Sequence, residues 1–118
     1  MREIKFRAWN KAQKHMIPSV DVIVPKDGKF EKHLIPMQAT GKLGTKGKNR
    51  YADIYDGDII RFYFQIKDGR VLEFVGRVIW DEYMWLAETK DGDQFSLNRI
   101  HNCIILGNIH EDLNLLKQ

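Results

Sequence analysis

The stretch from Tyr51 to Ile66 constrains the fold of this chain more than any other, because it joins a tight turn to the most β-favouring run in the sequence. Asp56-Gly57-Asp58 is typical of a turn, since glycine accepts positive φ and aspartate hydrogen-bonds nearby backbone. The residues after it are mostly β-branched or aromatic and fit a pleated, half-buried surface: Ile59, Ile60, Phe62, Tyr63, Phe64 and Ile66. A sharp turn into a central strand is predicted here.

Further strands are predicted on both sides of this central strand. Residues Arg2 to Trp9 alternate in polarity with the period of a half-buried strand, and Asp-Gly pairs at 27–28, 68–69 and 91–92 are typical of tight turns between strands. The predicted strands cover residues 2–9, 15–24, 30–39, 59–66, 71–80, 83–89, 94–97 and 101–109. Short strands separated by such turns indicate a mainly β protein built as a small barrel or sandwich.

The chain divides into three predicted parts. Residues 1–40 form an N-terminal β extension, residues 41–50 a basic loop, and residues 51–118 a small β-barrel with a C-terminal tail. The loop contains three glycines, four cations and no acid. In the tail, only Glu111 to Lys117 is predicted as a short helical segment, with leucines that can dock on the body of the protein.

The composition excludes several classes of protein. With 43% hydrophobic residues, the 118-residue chain is too apolar for a disordered protein and long enough to bury a core without disulfides or metals. No apolar run approaches the length of a membrane span, and the first residues lack the apolar stretch of a signal peptide. We therefore expect a cytoplasmic protein, with no membrane partner and no cofactor.

Charge is distributed unevenly along the chain. Residues 1–50 carry 12 Lys and Arg against 4 acids, whereas residues 51–118 carry 7 against 12. The basic half is therefore a candidate for contact with nucleic acid or with the acidic half of another copy. Alternatively, the two halves interleave in one sheet and their fields largely cancel.

Catalytic and metal sites are not expected. Asp53, Asp56 and Asp58 are candidate ligands for a hard cation, but they lack the spacing of a calcium loop, and turn formation explains them better. Residues 41–50 lack the pattern of a phosphate-binding loop. His101 and Cys103 have no evident orienting acid, and the other histidines are scattered without metal-ligand spacing. The prediction is a non-enzymatic protein.

Two groups of residues are candidates for binding partners. Lys42, Lys46, Lys48 and Arg50 of the basic loop are the candidate nucleic-acid contacts. Tyr83 and Trp85 are the candidate protein contacts, because aromatic residues near the rim of a barrel stack on bases or on partner side chains. The neighbouring Trp80 is expected to fill the core.

Three blocks, in this order, resemble the YopX family of phage and prophage proteins. They are Met1 to Trp9, Thr40-Gly41 followed later by Ile54 to Ile59, and Ile105 to Glu111. The resemblance covers nearly the whole chain, but Tyr51-Ala52-Asp53 looks inserted relative to the family pattern. It implies a mostly β structure with an SH3-like barrel in its C-terminal part and a tendency to form homo-oligomers, and it implies no assigned catalytic or binding residue.

Overall fold

The computed structural model describes residues 5–47 and 50–117, and within these ranges the protein is mainly β. The described strands are β1 (Phe6–Asn10), β2 (His15–Ile17), β3 (Leu34–Thr45), β4 (Tyr51–Tyr55), β5 (Asp58–Gln65), β6 (Val71–Asp81), β7 (Met84–Thr89), β8 (Gln94–Ser96) and β9 (His101–Asn108). The helical segment predicted near the C-terminus is only a 3-10 turn, Leu113–Lys117. In the described ranges, no helix has the length and apolarity needed to cross a bilayer.

The chain forms two compact units, Met1–Ala39 and Thr40–Gln118. In the first unit, β1 pairs antiparallel with β2 and with the first half of β3. The turn between β1 and β2 is held by Asn10, whose Oδ1 accepts hydrogen bonds from the backbone N–H groups of Ala12 and Gln13, both at 3.0 Å. The strand predicted for residues 2–9 is therefore confirmed from Phe6 onward, while residues 1–4 lie outside the described ranges.

The basic loop is shorter than residues 41–50, because β3 continues to Thr45. The glycine at position 44 lets β3 pass close to β9. A Cβ at that position would lie only 3.1 Å from Ile105 Cγ1 and 3.2 Å from the carbonyl oxygen of Cys103. At the end of β3, Thr45 lies opposite Ile104 in a parallel pairing with β9. Beyond it, the backbone N–H of Lys46 donates to the carbonyl of Arg50 at 2.8 Å and closes the hairpin to β4.

The predicted central strand lies in the middle of the second unit. β5 pairs antiparallel with both β6 and β9, and β6 continues the sheet to β7 and β8. The predicted Asp-Gly turns are confirmed at Gly69 and Gly92, both with φ of 90°. The N–H of Gly69 donates to the carbonyl of Ile66 and that of Gly92 to Thr89, each at 3.0 Å. The local turn chemistry thus determines both hairpins.

The core of the second unit surrounds Phe62, whose side chain is fully buried at the centre of β5. Its ring lies 5.8 Å from that of Phe74 and 5.4 Å from that of Phe95, so β6 and β8 both contribute aromatic side chains to the core. The buried residues around it come from several strands and from the segment between β8 and β9: Ile54, Ile60, Val78, Ala87, Leu97, Ile100, Cys103 and Ile105.

The SH3-like barrel is not confirmed, because the sheet is open. The strand order is β2-β1-β3-β9-β5-β6-β7-β8, with β4 paired to β3. The short strand β8 pairs with β7, and β4 pairs with β3, so the described pairings end at these strands and do not close a ring. β8 contains three residues, which leaves few backbone groups with which to extend the ladder.

Candidate interaction site

The hairpin between β6 and β7 carries a group of exposed aromatic residues. Trp80 lies opposite Trp85 and Asp81 opposite Met84, and Glu82 and Tyr83 form the turn between them. Glu82 has a φ of 29°, and the Tyr83 N–H donates to the carbonyl of Asp81. We call the group Trp80, Asp81, Glu82, Tyr83 and Met84 the aromatic tip.

The aromatic tip is exposed to solvent. Tyr83 is 83% exposed, Trp80 53% and Met84 44%. Trp85 differs, since it is partly buried against the core, and its ring meets that of Trp80 edge-on at a centroid distance of 5.1 Å. The cross-strand contact with Trp85 therefore links the exposed Trp80 ring to the edge of the core.

Of the five residues of the aromatic tip, only Tyr83 was a predicted contact; Trp80, Asp81, Glu82 and Met84 were not. Trp80 shares its strand face with the buried Val78, so alternation placed it in the core, and that expectation is wrong. β6 extends beyond the core, and its last residues on that face are therefore exposed. The adjacent acids Asp81 and Glu82 were the available signal, because two consecutive carboxylates are favoured at a solvated end of a hairpin.

The four predicted nucleic-acid contacts have different environments. Lys46 and Arg50 are exposed at the hairpin between β3 and β4. Lys42 is partly buried, and its Nζ donates to the backbone carbonyls of Leu97 and, at 3.2 Å, of Ile100. Lys48 lies outside the described residues. The structure thus leaves Lys46 and Arg50 available at the surface and gives Lys42 a structural contact.

Two apolar side chains accompany the exposed cations of this hairpin. Leu43 of β3 is 56% exposed and Tyr51 of β4 is 79% exposed. We call the group Leu43, Lys46, Arg50 and Tyr51 the basic hairpin. Its positive charge and apolar surface complement the two carboxylates and the aromatic rings of the aromatic tip.

Of the three aspartates, Asp56 lies in the turn between β4 and β5, whereas Asp53 lies within β4 and Asp58 is the first residue of β5, so turn formation explains only part of the group. Asp58 is buried, and its Oδ2 accepts a hydrogen bond of 2.8 Å from the backbone N–H of Tyr55. Gly57, with a φ of 84°, makes the bend between them. Among the residues that the structure describes, no group of three or more His, Cys, Asp and Glu side chains is placed to hold a metal ion.

Cys103 lies in the core of the second unit, where burial raises the pKa of its thiol and the nearby Lys42 ammonium lowers it to a lesser extent. The neighbouring His101 is exposed at the start of β9. The Cys103 side chain is therefore buried and that of His101 exposed, whereas a nucleophile and its base lie together and share a hydrogen bond.

The fold and these surfaces define a small, mainly β protein with an open sheet and two exposed hairpins of opposite charge. A family model described as YopX protein matches residues 5–117, and the chain belongs to the YopX family, as its sequence blocks predicted.

A solved structure shows the same fold. The crystal structure of protein EF1440 from Enterococcus faecalis is similar with a TM-score of 0.58 and 21% sequence identity, over 98% of this chain and 99% of that one. The likeness shows that the fold extends to a distantly related sequence. The search of curated proteins found no match for this chain.

Proposed function

We propose that this protein is a phage- or prophage-encoded accessory protein without enzymatic activity, which acts in the cytoplasm of the bacterial host as a protein-interaction and self-association module. The observation that carries the proposal is the pair of exposed hairpins in the second unit, one acidic and aromatic, the other basic. In this proposal, the aromatic tip of one copy binds the basic hairpin of another.

The chemistry of the aromatic tip supports this role. Trp, Tyr and Met are enriched at protein interfaces, and Trp and Tyr contribute many of the residues that dominate binding energy. Trp80 is pre-positioned by its contact with Trp85, so less side-chain entropy is lost when a partner covers it. The rings of Trp80 and Tyr83 are both exposed, and aromatic rings of these types attract a cation from a partner.

The basic hairpin supplies matching groups. Lys46 and Arg50 can pair with Asp81 and Glu82 of another copy, while Leu43 and Tyr51 cover apolar surface. The two surfaces differ, so the contact is heterologous and generates rings or open chains of copies. Part of the attraction is electrostatic and screened by salt, so association should weaken as ionic strength rises.

The proposal is tested by the mass of two complementary variants. One variant, Trp80→Ser with Tyr83→Ser, disables the aromatic tip, and the other, Lys46→Glu with Arg50→Glu, disables the basic hairpin. Each alone should be monomeric by light scattering at concentrations where the unaltered protein is multimeric. An equal mixture should form dimers that grow no further, because each pair retains one intact tip and one intact hairpin.

A charge-matched variant outside both hairpins, Lys26→Glu with Lys32→Glu, is the control and should associate like the unaltered protein. Self-association is excluded if the unaltered protein stays monomeric at the highest concentration tested. The assignment to these hairpins is excluded if either disabled variant still forms the same multimer.

Nucleic-acid binding is a second candidate function, favoured by the exposure of Lys46 and Arg50 on a hairpin that contains Gly47. Phosphate contacts release counterions, so binding through these residues should weaken steeply with salt. Fluorescence anisotropy of labelled single- and double-stranded DNA and RNA over a salt series tests it. Unchanged affinity for Lys46→Ala with Arg50→Ala would rule out this hairpin as the nucleic-acid site.

A further inference from the structure

The first unit contains an apolar groove that neither hairpin explains. It has a volume of about 610 Å³ and is formed by residues of β1, β2 and β3 together with the segment from Asp21 to Glu31. Its apolar lining includes Ile17, Phe30 and Leu34. The volume falls within the range of about 300–1,000 Å³ that is typical of binding sites for small ligands and side chains.

The charge of the groove is opposite to that of the surrounding sequence. Residues 1–50 contain four acids, and three of them, Asp21, Asp27 and Glu31, line this groove beside a single lysine, Lys29. Local contacts account for two of these acids in part: Asp27 Oδ1 accepts from the Lys29 backbone N–H at 3.0 Å, and Glu31 Oε2 lies 3.4 Å from His33 Nε2. All three carboxyl-bearing residues are exposed and accessible to a cation that enters the groove.

Exposed aliphatic residues lie within and next to the part of the groove lining that residues 21–23 form. Val20 is 89% exposed, Ile23 88% and Val24 50%, all within a five-residue stretch that contributes Asp21, Val22 and Ile23 to the lining. A small molecule held in the groove leaves Val20 and Val24 uncovered, whereas a peptide that crosses the groove covers them. Contiguous apolar patches with polar rims are typical of protein interaction sites.

We propose that this groove binds a peptide segment of a partner protein in which Lys or Arg side chains flank aliphatic ones. The aliphatic side chains enter the groove against Phe30 and Leu34, and the flanking cations pair with Asp21, Asp27 and Glu31. The proposal goes beyond the self-association above and does not depend on it, since it uses a different unit of the chain and a different partner.

The test uses three labelled heptapeptides and the full-length protein, with binding followed by fluorescence anisotropy. The first peptide alternates leucine with lysine, the second leucine with glutamate, and the third serine with lysine. Only the leucine–lysine peptide should bind well, because the groove requires both apolar contact and positive charge.

Two pairs of substitutions locate the site. Asp21→Asn with Glu31→Gln removes two charges from the groove at nearly constant shape and should weaken binding by about fivefold or more. Asp91→Asn with Asp93→Asn removes the same charge from two exposed positions of the second unit, outside both hairpins, and should leave the affinity unchanged. Near-ultraviolet circular dichroism, compared with that of the unaltered protein, confirms that both variants are folded.

The proposal is overturned if the leucine–lysine peptide does not bind, or if the serine–lysine peptide binds as tightly, because charge alone would then account for the affinity. It is also overturned if the Asp91 and Asp93 substitutions weaken binding as much as the groove substitutions do. Retained groove binding by a protein that proves monomeric would contradict the proposed self-association and leave this inference intact.

Discussion

The side-chain ammonium of Lys42 donates a hydrogen bond to the backbone carbonyl of Leu97, a residue 55 positions further along the chain. The same ammonium donates to the carbonyl of Ile100 at 3.2 Å. Both accepting residues are buried, with exposed fractions of 3% and 2%. Lys42 thus connects β3 to the segment between β8 and β9 and satisfies carbonyl groups that water reaches poorly.

Replacing Lys42 by Met should destabilise the protein by about 1–3 kcal/mol, because two buried carbonyl groups lose their donor while the aliphatic stem is largely preserved. The free energy of unfolding in urea measures this. Lys46→Met is the matched control, since Lys46 is exposed, and it should change stability by less than about 0.5 kcal/mol. Equal effects of the two substitutions would contradict the structural role of Lys42.

Replacing Gly76 by alanine should also be destabilising, by about 1–3 kcal/mol. A Cβ at this position would lie 2.9 Å from the backbone carbonyl oxygen of Glu88, so β6 and β7 would have to separate locally. Val71→Ala, an exposed position on the same strand, is the control and should have a small effect. Thermal unfolding of both variants measures the effect. A Gly76→Ala variant as stable as the unaltered protein would show that β6 and β7 accommodate the Cβ without loss of stability.

Asp58→Ala should cost about 1–3 kcal/mol, since the buried N–H of Tyr55 would lose its acceptor. Asp58→Asn should cost less, because the amide oxygen can still accept that hydrogen bond. Urea unfolding of the two variants measures the difference. If both substitutions are neutral, the turn between β4 and β5 does not depend on this contact.

Stability should depend on pH through Glu88. Hydrogen bonds from Gln94 at 2.9 Å and from Arg77 at 2.8 Å hold the pKa of Glu88 below its ordinary value of 4.5. Because the folded-state pKa is lowered, the stabilisation is fully present above the ordinary value and is lost as the pH falls through the folded-state pKa. The loss of stability on Glu88→Gln should therefore be larger at neutral pH than in acid well below pH 4.5. Urea unfolding at both pH values tests this, and a difference that stays constant with pH would contradict it.

Local features of the fold could be predicted from the sequence, whereas long-range contacts could not. The turns at Gly69 and Gly92 and the central strand follow from a few adjacent residues, and the structure has them where they were expected. The continuation of β3 through Gly44 depends instead on the close approach of Cys103 and Ile105, which lie far along the sequence. Local composition at 41–50 indicates a loop and contains no information about that approach.

In the candidate interaction site, too, local properties could be predicted from the sequence, whereas properties that depend on long-range contacts could not. The charge of Lys46 and Arg50 is evident from the sequence alone, whereas Tyr83, predicted as the first residue of a strand, lies in the turn before β7. The exposure of Trp80 depends on where the core ends along β6, and the contact of Lys42 depends on the fold of the β8–β9 segment. The residues next to Lys42 do not indicate its contact, and the local signal for the exposure of Trp80 is limited to the two acids that follow it, Asp81 and Glu82.

The pairing of β5 with β9 has a consequence for synthesis on the ribosome. β5 needs β9 on one side and β6 on the other, and β9 is the last of the described strands. Until translation reaches that strand, the largely buried strand β5 has an unpaired edge, which is open to pairing with other nascent chains. A chain that stops before His101 retains every residue of both exposed hairpins but leaves that edge permanently open, so we expect premature termination to yield aggregates rather than a smaller working protein.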